Sequence, residues 1–261
     1  MNIEWLQPII EKFIESGEGE IASVILAATG GYLIRLFTTK KPTKRLWKIS
    51  NVANLTICVS QSSVSVEKVN DLEISHSNTG IGQVKALGLI IGSISKAYSV
   101  SANNISFPSE SVIDKLENDL IILGGPVNNK IAELFFQEIK HLDIVEAENH
   151  AFIWKKSKDN KIVRYETKYT GDSRTEYGLI VRMPNPFAKD KDNKSMLHLF
   201  AGCRSISTVA AAKYFTREHS KEYKLWNPFG WGQKKAIFII IKCNVRDNSP
   251  FSIEYVTHHE F

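Results

Sequence analysis

Apolar residues at Ile3, Trp5, Leu6, Ile9, Ile10, Phe13 and Ile14, with Glu4, Glu11 and Glu15 between them, recur at helical spacing and predict an amphipathic helix. After Ser16-Gly17-Glu18-Gly19-Glu20, the run from Ile21 to Ile34 carries no charge and closes on Arg35-Leu36-Phe37. Seventeen helical residues from Ile21 to Phe37 reach about 26 Å, a little short of the ~30 Å hydrocarbon core of a bilayer. The flank before this run is acidic and the flank after it carries Lys40, Lys41, Lys44, Arg45 and Lys48, which places the remainder of the chain on the cytoplasmic side if the segment inserts. Ser23, Ala27 and Gly31 form a small-residue stripe that suits self-association of helices into a homo-oligomer. The competing expectation is an apolar helix buried in the body of a cytoplasmic protein, since fourteen uncharged residues also suit a core helix.

From Trp47 onward the pattern changes. The short apolar, β-branched run from Asn54 to Val59 reads as a buried strand, and polar sequence follows it to Asn78. The clearest unit is Asp119 to Asn129, a strand leading through Gly124-Gly125 into a helix over Lys130 to Lys140 with Ile131, Leu134, Phe135 and Ile139 on one face. A second unit runs from Met196 through Gly202 into Val209 to Phe215, and a third turn, Thr79-Gly80-Ile81-Gly82, opens a helix over Gln83 to Tyr98. Ala151 to Lys155 with Lys161 to Lys168, and Lys235 to Val245 with Ser252 to Thr257, predict hairpins, and Tyr177 to Met183 predicts a further strand. Together these elements predict an α/β, Rossmann-like three-layer domain with a mixed sheet over residues 47–261, preceded by a helical membrane-anchor region over residues 1–46.

Glycine turns at helix starts define the candidate chemistry. A helix N-terminus presents unpaired N–H groups and the positive end of the helix dipole, and glycine lets a ligand approach the backbone. The candidate ligand-binding residues are Gly80, Gly82 and Gln83 in the first turn; Gly124, Gly125, Asn128 and Asn129 in the second; and Gly202, Arg204, Ser205, Ser207 and Thr208 in the third. Asn185, in Met183-Pro184-Asn185-Pro186, is added as a residue expected near the same edge. Arg204 carries most weight, because a cation in a first helical turn opposes the dipole and calls for a compensating anion. The plainer alternative is ordinary turn and capping chemistry at each position.

Composition sets the limits. With 261 residues, 43% of them hydrophobic, the chain can bury one substantial core. A net charge of +5 without a dense basic stripe gives no reason to expect nucleic acid as a partner. Cys58, Cys203 and Cys243 have no zinc or disulfide spacing and suit a reducing compartment. No Walker loop, dinucleotide fingerprint or catalytic elbow occurs, so no cofactor, metal or catalytic residue is assigned, and whether a reaction is catalysed is left open. Cys203, at a strand-to-helix turn beside Arg204, is the one nucleophile to weigh, against the commoner role of a small buried thiol. His258-His259-Glu260 is expected to be a solvated tail. The leading functional expectation is a membrane-tethered sensor or effector for signalling or defence, binding a nucleotide-like or other anionic small molecule. The alternatives are a small hydrolase or glycosyl transferase acting on a nucleotide, nucleoside or sugar phosphate, and a non-catalytic scaffold.

Overall fold

The computed structural model describes residues 19–61, 63–69, 72–106, 110–148, 150–156, 161–190, 194–216 and 236–260. The predicted amphipathic helix over residues 3–14 lies outside them. Chain order is α1 (Gly19–Arg35), a π-helical turn (Leu36–Lys40), α2 (Lys41–Trp47), β1 (Thr56–Val59), β2 (Ser63–Val69), β3 (Leu72–Asn78) and α3 (Ile81–Ile94). Next come β4 (Ile105–Ser106), α4 (Glu110–Ile113), β5 (Leu120–Leu123), α5 (Lys130–Glu138), β6 (Val145–Glu148), β7 (Ala151–Lys156), β8 (Lys161–Glu166) and β9 (Lys168–Thr170). The last elements are β10 (Ser173–Pro184), β11 (Met196–Gly202), α6 (Ser205–Thr216), β12 (Ile237–Arg246) and β13 (Ser249–Glu260).

The fold is mixed α/β. Its main sheet has the order β13-β12-β10-β11-β5-β1-β4, with β9 beside the start of β10. The strands β4, β1, β5 and β11 run parallel, whereas β10, β12 and β13 form an antiparallel half. Successive side chains on a strand point to opposite faces, and here both faces are covered, which explains the unbroken apolar runs. Ile57, Val59, Ile121, Leu123, Ile180, Phe200 and Ile239 face one core with Ala86, Ile90 and Ile94 of α3 and Ile206, Ala210 and Phe215 of α6. Cys58, Ile122, Leu179, Leu199 and Phe238 face the other with Ile131, Ala132 and Phe135 of α5 and Phe152, Trp154 and Tyr165 of the small sheet β6-β7-β8.

Three results depart from the sequence expectations. The stretch before Asn78, read only as polar sequence, forms the hairpin β2–β3, in which Val64 and Val66, and Leu72 and Ile74, alternate with polar residues. His258 and His259 are part of β13, paired with Ile239 and Phe238, so they are not a solvated tail. No helix among the described residues is long and apolar enough to cross a membrane, and α1 spans 17 residues. Tyr32, Leu33 and Ile34 on α1 are exposed, while Thr43 and Trp47 of α2 are buried and Trp47 joins the first core.

Candidate functional site

The three parallel strands β1, β5 and β11 end at one edge of the sheet, and the loops that leave them enter α3, α5 and α6 or their approaches. Local sequence dictates each exit. At the end of β5, Gly124 continues the ladder by donating its N–H to the Phe200 carbonyl at 2.8 Å, then turns the chain at φ +96°, a conformation that side chains disfavour. Asn129 caps α5, its side-chain oxygen accepting from the Ile131 and Ala132 N–H groups at 3.0 and 3.3 Å. Where α3 begins, a Cβ on Gly82 would stand 2.4 Å from the Ser205 carbonyl oxygen, so only glycine lets the starts of α3 and α6 abut. Two helix N-termini, each with a partial positive charge, thus meet at this edge.

Between them lies a cleft of about 310 Å³. Of the residues singled out from sequence, Gly80, Gln83, Gly125, Asn128, Gly202, Arg204, Ser205 and Thr208 line it. Gly125 and Gly202 therefore share one site. Five others serve the frame. Gly82 makes the helix contact, Gly124 makes the turn, and Asn129 combines its cap with donation to the Leu123 carbonyl at 2.9 Å. Ser207 is fully buried, its hydroxyl donating to the Arg204 carbonyl at 2.9 Å. Asn185 lies at the opposite edge, where its side-chain amide donates to the Leu116 and Asn118 carbonyls, both at 2.6 Å. Its expected place in the site is corrected, because β10 runs antiparallel to β11 and carries its end away from the cleft.

The same antiparallel register brings in what the sequence did not signal. β10 starts beyond the end of β11, with Gly178 opposite Gly202, so Arg174 reaches the cleft. The β6–β7 hairpin contributes Glu148 and His150. His150 has φ +60°, and its Nδ1 donates to the Cys203 carbonyl at 3.0 Å, which leaves Nε2 as the acceptor of the neutral ring.

Charge is distributed unevenly around the walls. Arg174 donates from Nε to Glu176 Oε1 at 2.5 Å, and Glu176 Oε2, fully buried, accepts the Ser207 N–H of α6 at 3.0 Å. Part of the compensating anion expected for the α6 dipole is thus internal. Glu148 is paired with Arg164. Arg204, just before α6, is exposed and lies over the Tyr169 ring at 5.7 Å, and among the described residues no carboxylate pairs with it. Burial pushes the Cys203 thiol up to about 12, with the Glu176 charge adding to the effect, which favours the protonated form at neutral pH. At the floor, the Gln83 amide oxygen and the Ser60 hydroxyl are buried without a hydrogen-bond partner among the described residues.

This arrangement can hold an anion at Arg204 and the α3 and α6 N-termini, with His150 Nε2 as a hydrogen-bond acceptor beside it. No family model matches the chain and no match is found among curated proteins, so the geometry of the cleft is what defines the site.

Proposed function

We propose that residues 47–261 act as a Rossmann-like three-layer ligand-binding domain that takes a small anionic, nucleotide-like molecule in this cleft. The observation that carries the reading is the convergence of Arg204, free of any carboxylate partner among the described residues, with the abutting starts of α3 and α6 at the carboxyl edge of the parallel strands. In open α/β sheets ligands bind at that edge, and helix N-termini favour anions there.

The chain as a whole is proposed to be a membrane-tethered sensor or effector, with residues 21–37 at the bilayer and the ligand domain in the cytoplasm. The exposed Tyr32, Leu33 and Ile34, followed by the basic residues 40–48, support association with an anionic membrane face. Self-association along Ser23, Ala27 and Gly31 is supported by the open face at Gly31, where a Cβ would meet nothing within 4 Å. Ligand binding would then alter helix association.

A second reading, a hydrolase acting on the same ligand class, is favoured by one observation: His150 presents a ring whose Nδ1 is held by the Cys203 carbonyl, the arrangement of an oriented general base. One experiment separates the two. The full-length chain is screened by thermal shift against mononucleotides, cyclic nucleotides, nicotinamide cofactors and sugar phosphates, with product analysis of each hit. A ligand at ~100 times its Kd stabilises by about 2.7 kcal/mol. A stabilising compound returned intact fits the sensor, one consumed fits the hydrolase, and no stabilisation by any compound rejects the ligand reading.

A further inference from the structure

Arg204 is one of two arginines on the cleft, and the second is anchored more firmly. Arg174 lines the same cavity and keeps 26% of its side chain exposed, so its guanidinium is open to a ligand. Its Nε donates to Glu176 Oε1 at 2.5 Å, and the wholly buried Glu176 accepts the Ser207 N–H of α6 at Oε2, 3.0 Å away. The Ser207 hydroxyl in turn accepts the Arg204 N–H at 3.1 Å and donates to the Arg204 carbonyl at 2.9 Å. One chain of hydrogen bonds therefore ties both arginines to the first turn of α6. A second tie runs through Tyr169, which is the direct cross-strand partner of Arg174 between β9 and β10 and has the Arg204 guanidinium over its ring at 5.7 Å. Directly opposed residues of an antiparallel pair project from the same face, so Arg174 stands beside the tyrosine that Arg204 covers.

Like charges gathered in this way call for a counterion, and the protein supplies only part of one. Glu176 engages Arg174 through Nε; among the described residues Nη1 has no acceptor and Nη2 has only the Asn248 side-chain oxygen at 3.4 Å. The Arg204 guanidinium makes no hydrogen bond among the described residues. Glu148, a carboxylate on the cleft wall, is held by Arg164. Two guanidinium forks thus stay open, each shaped for a pair of oxygens. A carboxylate has two oxygens, and a phosphodiester two that carry no carbon; either fills one fork. A phosphomonoester has three free oxygens and close to two negative charges at neutral pH, enough to engage both.

Building on the anion-binding reading above, we propose that Arg174 and Arg204 form a two-armed clamp for one terminal phosphate, so that the cleft selects a phosphomonoester over a phosphodiester.

The test is calorimetric titration of the full-length chain with matched pairs of probes, the four ribonucleoside 5′-monophosphates and the corresponding 3′,5′-cyclic monophosphates. Wild type is expected to bind at least one 5′-monophosphate tenfold or more tightly than its cyclic partner. Arg174→Gln is expected to weaken that monophosphate tenfold or more and the cyclic form by less than about threefold, so that the preference largely disappears. Arg174→Lys keeps the charge opposite Glu176 and removes the fork; it is expected to melt within a few degrees of wild type and to bind the monophosphate at least threefold more weakly. Equal affinity of wild type for the two members of every pair, or preference for the cyclic form, overturns the clamp while the anion site stands, and that arm needs no variant. Wild-type affinity in a folded Arg174→Gln removes Arg174 from the site. Full affinity in Arg174→Lys reduces its part to charge alone and likewise overturns the clamp. If Arg174→Gln does not fold, the wild-type and Arg174→Lys arms still decide. Binding of neither member of any pair to wild type overturns both this proposal and the nucleotide reading on which it rests.

Discussion

The two edges of the parallel strands use the same kinds of residue to opposite ends. At the amino edge, Asp119 is buried and fully engaged: Oδ2 accepts from the Ser50 N–H, the Ser50 hydroxyl and the Asn51 N–H at 2.8, 2.6 and 3.1 Å, and Oδ1 accepts from the Met196 N–H at 2.7 Å. Asn185 and Asn104 there bind backbone carbonyls in the same manner. At the carboxyl edge, Gln83 and Ser60 are buried with unmet polar atoms beside a cleft and Arg204 faces outward, whereas the unmet His198 Nε2 of the amino half is packed among the rings of Trp47 and Phe215. A polar loop that closes on itself is a staple, and one that leaves valences open is a receptor. Substitutions at the first edge should therefore remove stability and spare binding, and those at the second should do the reverse.

Asp119→Ala is the severest test. It strands donors from two loops around β5, and the expected loss is about 3–4 kcal/mol in urea denaturation, with ligand affinity unchanged in the folded protein. A loss below about 1 kcal/mol would end the description of this edge as a staple.

Acid should act through the same edge. His198 is buried against Trp47 and Phe215, and burial, with the Arg182 charge adding, lowers its pKa from 6.5 to about 3. The unfolded chain takes up this proton below about pH 6.5 and the folded one does not until about pH 3. Unfolding is thus favoured as pH falls: the contribution is complete above pH 6.5 and declines by up to about 1.4 kcal/mol per unit through that window. His198→Phe should flatten this part of the stability profile between pH 6 and 4. An unchanged slope would assign the acid sensitivity to other groups.

Gly82→Ala lies between the two classes. The added methyl cannot coexist with the Ser205 carbonyl at 2.4 Å, so the starts of α3 and α6 must part. Overpacking costs about 1–3 kcal/mol and the helical preference of alanine over glycine returns up to about 1, leaving a net loss of roughly 1–2 kcal/mol. Ligand affinity should fall with it, since the cleft wall is displaced. Stability lost with affinity intact would separate the helix junction from the site.

How much of this was legible follows from which interactions are local. The strands β1, β5 and β11 could be read because burial on both faces makes a continuous apolar run, and Gly124-Gly125 and Gly202 marked their ends. Asn129 was legible as a helix-start residue but not as a cap distinct from a ligand contact, because the same oxygen serves either purpose. What failed was register. Direction within a sheet is set by pairing across long separations, and the reversal of β10 sent Asn185 to the wrong edge while bringing Arg174 to the cleft in its place. His150 and Glu148 arrive on a separate small sheet whose docking leaves no periodic trace. Hairpin β2–β3 was missed although Val64 and Val66, and Leu72 and Ile74, alternate with polar residues, because these short Ser-, Glu- and Lys-bearing runs are faint beside the continuous apolar runs of β1 and β5.

Arg204→Ala has the smallest expected effect on stability and decides the most about binding. The side chain is exposed, it lies 5.7 Å from the Tyr169 ring, and its charge stands where the α6 dipole disfavours a cation. Removing it should leave stability within about 0.5 kcal/mol of wild type, with any change toward greater stability. A residue kept at a position where it opposes the helix must be offset by something else, and Glu176 is already engaged by Arg174 and the Ser207 N–H. An anionic ligand meets that need. Its affinity in Arg204→Ala should drop tenfold or more, and Arg204→Lys should recover part of it, because the ammonium keeps the charge but lacks the planar fork that grips two oxygens at once. If Arg204→Ala binds every anion as wild type does and instead unfolds readily, Arg204 is a structural residue and the two edges of the sheet do not differ in the way described.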